Sequence, residues 1–210
     1  GGAPAGVFAH EIQHHLAAKG LLQVEHAVGD AQLPADGGCR LDRLVDVAGL
    51  APRAKVLSIG IMLKDIPGGW PLTYAILHAL NRGVDVINIS AGHPESSESE
   101  EAVIAFAIRH GVVVVASGGN CGSWYEYIPN MGIDDGCGSH NMVVYPAAYP
   151  WVIGVGSLNP GLEKAAHSSA NESIDLAAPG EAIWTLSPSG DTVKVDGTSF
   201  AAPYVAAVAS

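Results

Sequence analysis

One serine in this chain stands where a nucleophile would be served by its backbone. In Asp196-Gly197-Thr198-Ser199-Phe200-Ala201-Ala202-Pro203, a short Gly-containing turn delivers Ser199 to the start of an apolar helix. Backbone N–H groups in a first helical turn are unused, and that end of the macrodipole is positive. Pro203 is expected near the first turn, where a missing N–H costs little. Ala201, Ala202, Ala206, Ala207 and Ala209 would let the helix pack close to its neighbours. Taken alone, Gly-Thr-Ser is more often the N-cap of a core helix than a nucleophile site.

A second group with chemical potential is His10-Glu11-Ile12-Gln13-His14, two histidines one helical turn apart with a glutamate between them. That is the spacing of a zinc protease helix. A catalytic zinc needs a third protein ligand, and Ala17 and Gly20 occupy the positions where a Gly and a His would continue one such pattern. Glu25 follows too closely for the other. The segment therefore reads as a surface helix carrying histidines, and no metal is expected.

The elements around these residues alternate. A helix is expected over 1–20, a weakly alternating strand over 21–28 and a helix over 40–47. A buried strand follows over 56–62, then a helix over 72–81 and a strand over 84–90. A helix with an acidic start at Glu95, Glu98, Glu100 and Glu101 runs to about His110, where Gly111 stops it. Val112-Val113-Val114-Val115-Ala116 is a fully apolar strand, and residues 181–195 read as two short strands around Ser187-Pro188-Ser189-Gly190-Asp191. Strands alternating with helices predict an α/β fold, a mainly parallel sheet covered on both faces, with ligands at the carboxyl ends of the strands. Ser90-Ala91-Gly92 and Ser117-Gly118-Gly119-Asn120 follow two of those strands.

Gly-Thr-Ser-Phe-Ala-Ala-Pro, Ser90-Ala91-Gly92, Ser117-Gly118-Gly119-Asn120, the stretch from Tyr145 to Gly156 and Ile174-Asp175-Leu176-Ala177-Ala178-Pro179-Gly180 together resemble the subtilisin-like serine proteases, in that family's order across roughly residues 49–210. The resemblance implies a three-layer subtilisin-like fold and a serine endopeptidase in which Ser199 attacks the peptide carbonyl. It implies that Asn120 donates its amide to the oxyanion, that Ser90, Ala91 and Gly92 pair with the extended substrate, and that Ser117, Gly118 and Gly119 wall the specificity pocket. It implies a polypeptide substrate, no cofactor and a monomer. An oxyanion donor of this kind is worth on the order of 3 kcal/mol in the barrier.

The triad's base and acid are not legible. Where the family carries His-Gly-Thr-His, this chain has Gly38-Cys39-Arg40-Leu41-Asp42-Arg43-Leu44-Val45-Asp46, without a histidine, and Asp30 is only a positional candidate for the acid. Three readings stay open. The Leu41-Asp42 segment resembles the sedolisins, relatives that use carboxylates in place of His, and Asp42 and Asp46 lie one turn apart; a solvated helix face accounts for the same spacing. A histidine from elsewhere, His26 or His93, could serve. Or the domain binds peptides without cutting them.

The chain of 210 residues is 48% hydrophobic, enough for one compact domain over 1–210, and its net charge of −11 disfavours nucleic acid and anionic membranes as partners. No apolar run is long enough for a membrane span. The start lacks a signal-peptide pattern and the end falls inside an apolar helical pattern, the marks of a mature or truncated segment. Of three cysteines, Cys121 and Cys137 bracket a polar loop and are expected to pair, leaving Cys39 free. That pairing implies an oxidising, extracellular compartment.

Overall fold

The computed structural model describes residues 21–25, 50–51, 54–61, 70–122, 137–186 and 191–210. The elements are strands β1 (Leu21–Glu25) and β2 (Val56–Gly60), helix α1 (Trp70–Asn81), β3 (Val86–Ile89), helix α2 (Glu98–Arg109), β4 (Val113–Ser117), β5 (Ile153–Leu158), β6 (Leu176–Pro179), β7 (Ile183–Leu186), β8 (Thr192–Val195) and helix α3 (Thr198–Ala209). Six strands form one sheet in the order β2-β1-β3-β4-β5-β6, and every neighbouring pair is parallel. The pair β7-β8 is a separate antiparallel ribbon that returns the chain to α3.

The pleat explains the layers. Along β3 and its neighbours, alternate residues point to opposite faces. Val86, Val115 and Val155 pack against Ala201, Ala202, Ala206 and Ala207 of α3. Ile87, Ile89, Val114 and Ala116 turn the other way, to meet Ile76 and Ala79 of α1 and Ile104 and Ala107 of α2. All four residues of β3 are buried, as a strand covered on both sides requires. Helices on both faces of a parallel sheet make this a three-layer α/β fold of the subtilisin-like kind.

Several boundaries move from the sequence reading. β3 stops at Ile89 because the polar groups of Ser90 turn to Ser199 instead of extending the ladder. α2 begins at Glu98, not Glu95, because the backbone of His93 is still paired with Tyr145 and Ser97 is extended as the N-cap. Its end is as expected: Gly111 has φ +84°, a left-handed conformation that glycine reaches without penalty. The acids at the start of α2 are not all surface groups serving the dipole, since Glu100 is 0% exposed. The helices expected over 1–20 and 40–47 lie outside the described residues. No helix among the described residues is long and apolar enough to cross a membrane.

Candidate active site

Ser199 is the second residue of α3, introduced by Gly197 with φ 153°. Its hydroxyl donates to the Ser90 carbonyl at 3.3 Å, and the Ser90 hydroxyl donates back to the Ser199 carbonyl at 2.9 Å. Asn88, fully buried in β3, donates its Nδ2 to the Ser90 hydroxyl at 3.0 Å. The start of α3 is thereby bolted to the carboxyl end of β3.

Pro203 supplies the reason this bolt fits. The expectation of Pro203 near the first turn is corrected: it lies inside α3, four residues beyond Ser199. There it removes the N–H that would have bonded the Ser199 carbonyl. The carbonyl so orphaned accepts from Ser90 instead, so the cost of an internal proline is offset by a bond between layers.

Asn120 follows the two glycines at the end of β4. Its Oδ1 accepts from both the Thr198 N–H and the Thr198 hydroxyl, each at 2.9 Å. A backbone N–H can only donate, so the oxygen must face Thr198 and the Nδ2 must face away. Among the described residues Nδ2 has no acceptor, and the side chain lines the same cleft as Ser199.

That cleft has a volume of about 230 Å³. Ala91 and Gly92 stand on one side and Ser117 and Gly119 on the other, with Val144 and Met142 between them and the Cys121–Cys137 bridge alongside. A Cβ at Gly92 would come within 3.3 Å of Val144, and one at Gly119 within 3.2 Å, so the valine side chain fits between two glycine turns. Gly118 donates its N–H to Val155 at 2.8 Å, which fixes the second wall to β5. A larger cavity of about 360 Å³, between β5, β6 and residues 164–171, does not include Ser199.

The structure thus brings together Ser199, Asn120, Ala91, Gly92, Ser117 and Gly119 around one cleft. Ser90 stands behind it, bonded to Ser199, and Gly118 is part of the wall's backbone. His93 also lines the cleft, but its Nε2 is 3.1 Å from each carboxylate oxygen of Glu100 and is not bonded to Ser199. The hydrogen bond to Glu100 raises the pKa of His93 above 6.5 against the effect of burial, with a contribution from Glu95. His167, buried beneath the wall, is lowered chiefly by burial. His26, Asp30, Cys39, Asp42, Asp46 and the segment from His10 to His14 lie outside the described residues.

Sequence reasoning missed the supports of the site: Asn88, Thr198, Val144 and the His93–Glu100 pair. The one signal available for the first was the polar side chain of Asn88 in an otherwise apolar buried strand, two residues before Ser90.

Comparison with known proteins identifies the family. The model of the Subtilase family matches residues 26–210, which takes in the stretch 26–48 where no triad motif is legible. Subtilisin DY of Bacillus licheniformis is 33% identical over 171 residues, 81% of this chain and 58% of its own length. Subtilisin E of Bacillus subtilis (strain 168) is 34% identical over 171 residues, 81% of this chain and 42% of its own. The chain spans about half the length of these curated relatives. Among solved structures, patellamide maturation protease PatA superposes with a TM-score of 0.70 at 24% identity, covering 91% of this chain and 76% of that one. The self-cleaved protease domain of PatA gives 0.66 at 26% identity, covering 92% and 71%. With the sheet order, the paired walls and the Ser199 turn, these matches establish that the chain belongs to the subtilase family of subtilisin-like serine proteases.

Proposed function

We propose that this chain is a single peptidase domain of a serine endopeptidase, hydrolysing peptide bonds of polypeptide substrates with Ser199 as nucleophile and Asn120 in the oxyanion hole. The observation that carries the reading is the double hydrogen bond from Thr198 to Asn120 Oδ1, which presets the Nδ2 as a donor beside Ser199. An extended substrate lies between Ser90-Ala91-Gly92 and Ser117-Gly118-Gly119, with one side chain in the cleft over Val144. Ser199 Oγ attacks the carbonyl carbon, and charge grows on the carbonyl oxygen. Asn120 Nδ2 and the Ser199 N–H, which has no intrahelical acceptor in the first turn, are the donors that meet it. The proton leaving Ser199 goes to a base outside the described residues, with His26 and the carboxylates Asp42 and Asp46 as candidates and Asp30 as a positional candidate for the acid. His93 is given no role as base in this reading, since among the described residues it has no hydrogen bond to Ser199, whose hydroxyl bonds the Ser90 carbonyl. The Cys121–Cys137 bridge supports an extracellular site of action.

A second reading, a peptide-binding domain that does not cut, is favoured by the absence of a histidine from residues 38–46. A serine-directed phosphonylating reagent separates the two. The parent should be labelled at Ser199, and the label should be lost in Ser199→Ala. Peptide cleavage by the parent should likewise be lost in Ser199→Ala and be indifferent to a zinc chelator. Cleavage that survives in Ser199→Ala but is abolished by the chelator or by His14→Ala would replace this reading with a zinc protease. A folded parent that is neither labelled nor active is the non-cutting domain.

A further inference from the structure

The hydrogen-bonded pair of His93 and Glu100 takes no part in the chemistry above, yet it joins the proposed substrate cleft to the body of the protein. Glu100 is 0% exposed, in the first turn of α2, and a buried carboxylate that loses its paired cation is strongly destabilised. His93 immediately follows the wall segment Ser90-Ala91-Gly92. Its backbone N–H and C=O both pair with Tyr145 at 2.9 Å, next to the Val144 floor of the cleft. Its ring lies 6.5 Å from that of Tyr145 and reaches α2 through Glu100. Wall, floor and helix therefore meet at one residue.

We propose that His93 and Glu100 are a positioning pair, which locks the Ser90–His93 wall to α2 so that peptide affinity depends on His93 keeping its proton. The proposal rests on the cleft being the substrate site, but not on catalysis. Among the described residues, the groups that face His93 are Glu100 from α2, Glu95 from the connecting loop and Tyr145 from the loop after Val144, with Tyr149 behind Tyr145 and beside Glu100. Tyr149 is pushed up to about 12, first by burial, and stays neutral. Since the pKa of His93 is raised above 6.5, the stabilisation from the pair is complete below that value and is lost as pH rises through the raised pKa.

The test uses Ser199→Ala, so that turnover plays no part, and oxidised insulin B chain as an extended probe. Affinity should fall about tenfold as pH rises through the titration of His93 followed by NMR. By linkage, bound peptide must then raise the His93 pKa by about one pH unit. His93→Gln and Glu100→Gln should each bind about tenfold more weakly than the parent at the acid end, with a flat pH profile. Variants that bind as tightly as the parent, or an affinity that ignores the His93 titration, would overturn the positioning role and leave the cleft reading intact. If Glu100→Gln does not fold, His93→Gln and the linked pKa decide. Absence of peptide binding at every pH would remove the substrate-cleft reading itself and the proposal with it.

Discussion

At the scale of single residues, the site depends on which way a carboxamide faces. Thr198 gives Asn120 Oδ1 two donors, and that leaves the amide as the donor which the proposed mechanism turns towards the oxyanion. Removing one such donor, measured in a subtilisin itself, costs about 10²–10³ in kcat. The same loss is expected of Asn120→Ala here, with KM little changed, in steady-state cleavage of a peptide that the parent turns over. A KM effect of that size with kcat preserved would make Asn120 a substrate-binding group and take it out of the oxyanion hole.

At the scale of elements, the contact that matters most joins β3 to α3 through Ser90. Its hydroxyl satisfies a carbonyl that Pro203 leaves without an N–H, and it is itself held by Asn88. In Ser90→Ala the Ser199 carbonyl and the Asn88 amide both lose a partner in a poorly hydrated place. Leaving such a group unsatisfied costs about 1–3 kcal/mol. Urea unfolding should show a loss in that range, and, where Ser199 is the nucleophile as proposed, the variant should cleave more slowly because the Ser199 turn is no longer tied to the sheet. An unchanged midpoint would mean that water replaces the hydroxyl without cost.

For the whole molecule, the sheet supplies a rigid base and the loops after β3 and β4 supply the walls of the cleft, one of which is closed by the Cys121–Cys137 bridge across 16 positions. A crosslink closing a loop of that size is worth roughly 3 kcal/mol in the chain-entropy account. Cys121→Ser with Cys137→Ser should lower stability by about that amount. Thiol counting on the denatured, unreduced chain should find one free cysteine, Cys39; three would reject the bridge.

The layers and the place of Ser199 at a helix start were legible in the sequence, because both are written in local patterns. Apolar strands such as Val113–Ser117, separated by helices, can only be buried on both faces, and Gly197-Thr198-Ser199 before a run of alanines marks a helix start wherever it folds. The strand ends carrying Ser90 and Asn120 were legible for the same reason. Tertiary structure alone decided how the site is held. Asn120 meets Thr198 across 78 residues and Ser90 meets Ser199 across 109, and no periodicity encodes partners so far apart. Glu100 shows the limit within one element: as a sequence it was one of several acids suited to a helix N-terminus, and only packing made it the one that is fully buried. Its partner His93 was a candidate base by its place after a strand end, and only the folded chain sets its Nε2 against the Glu100 carboxylate.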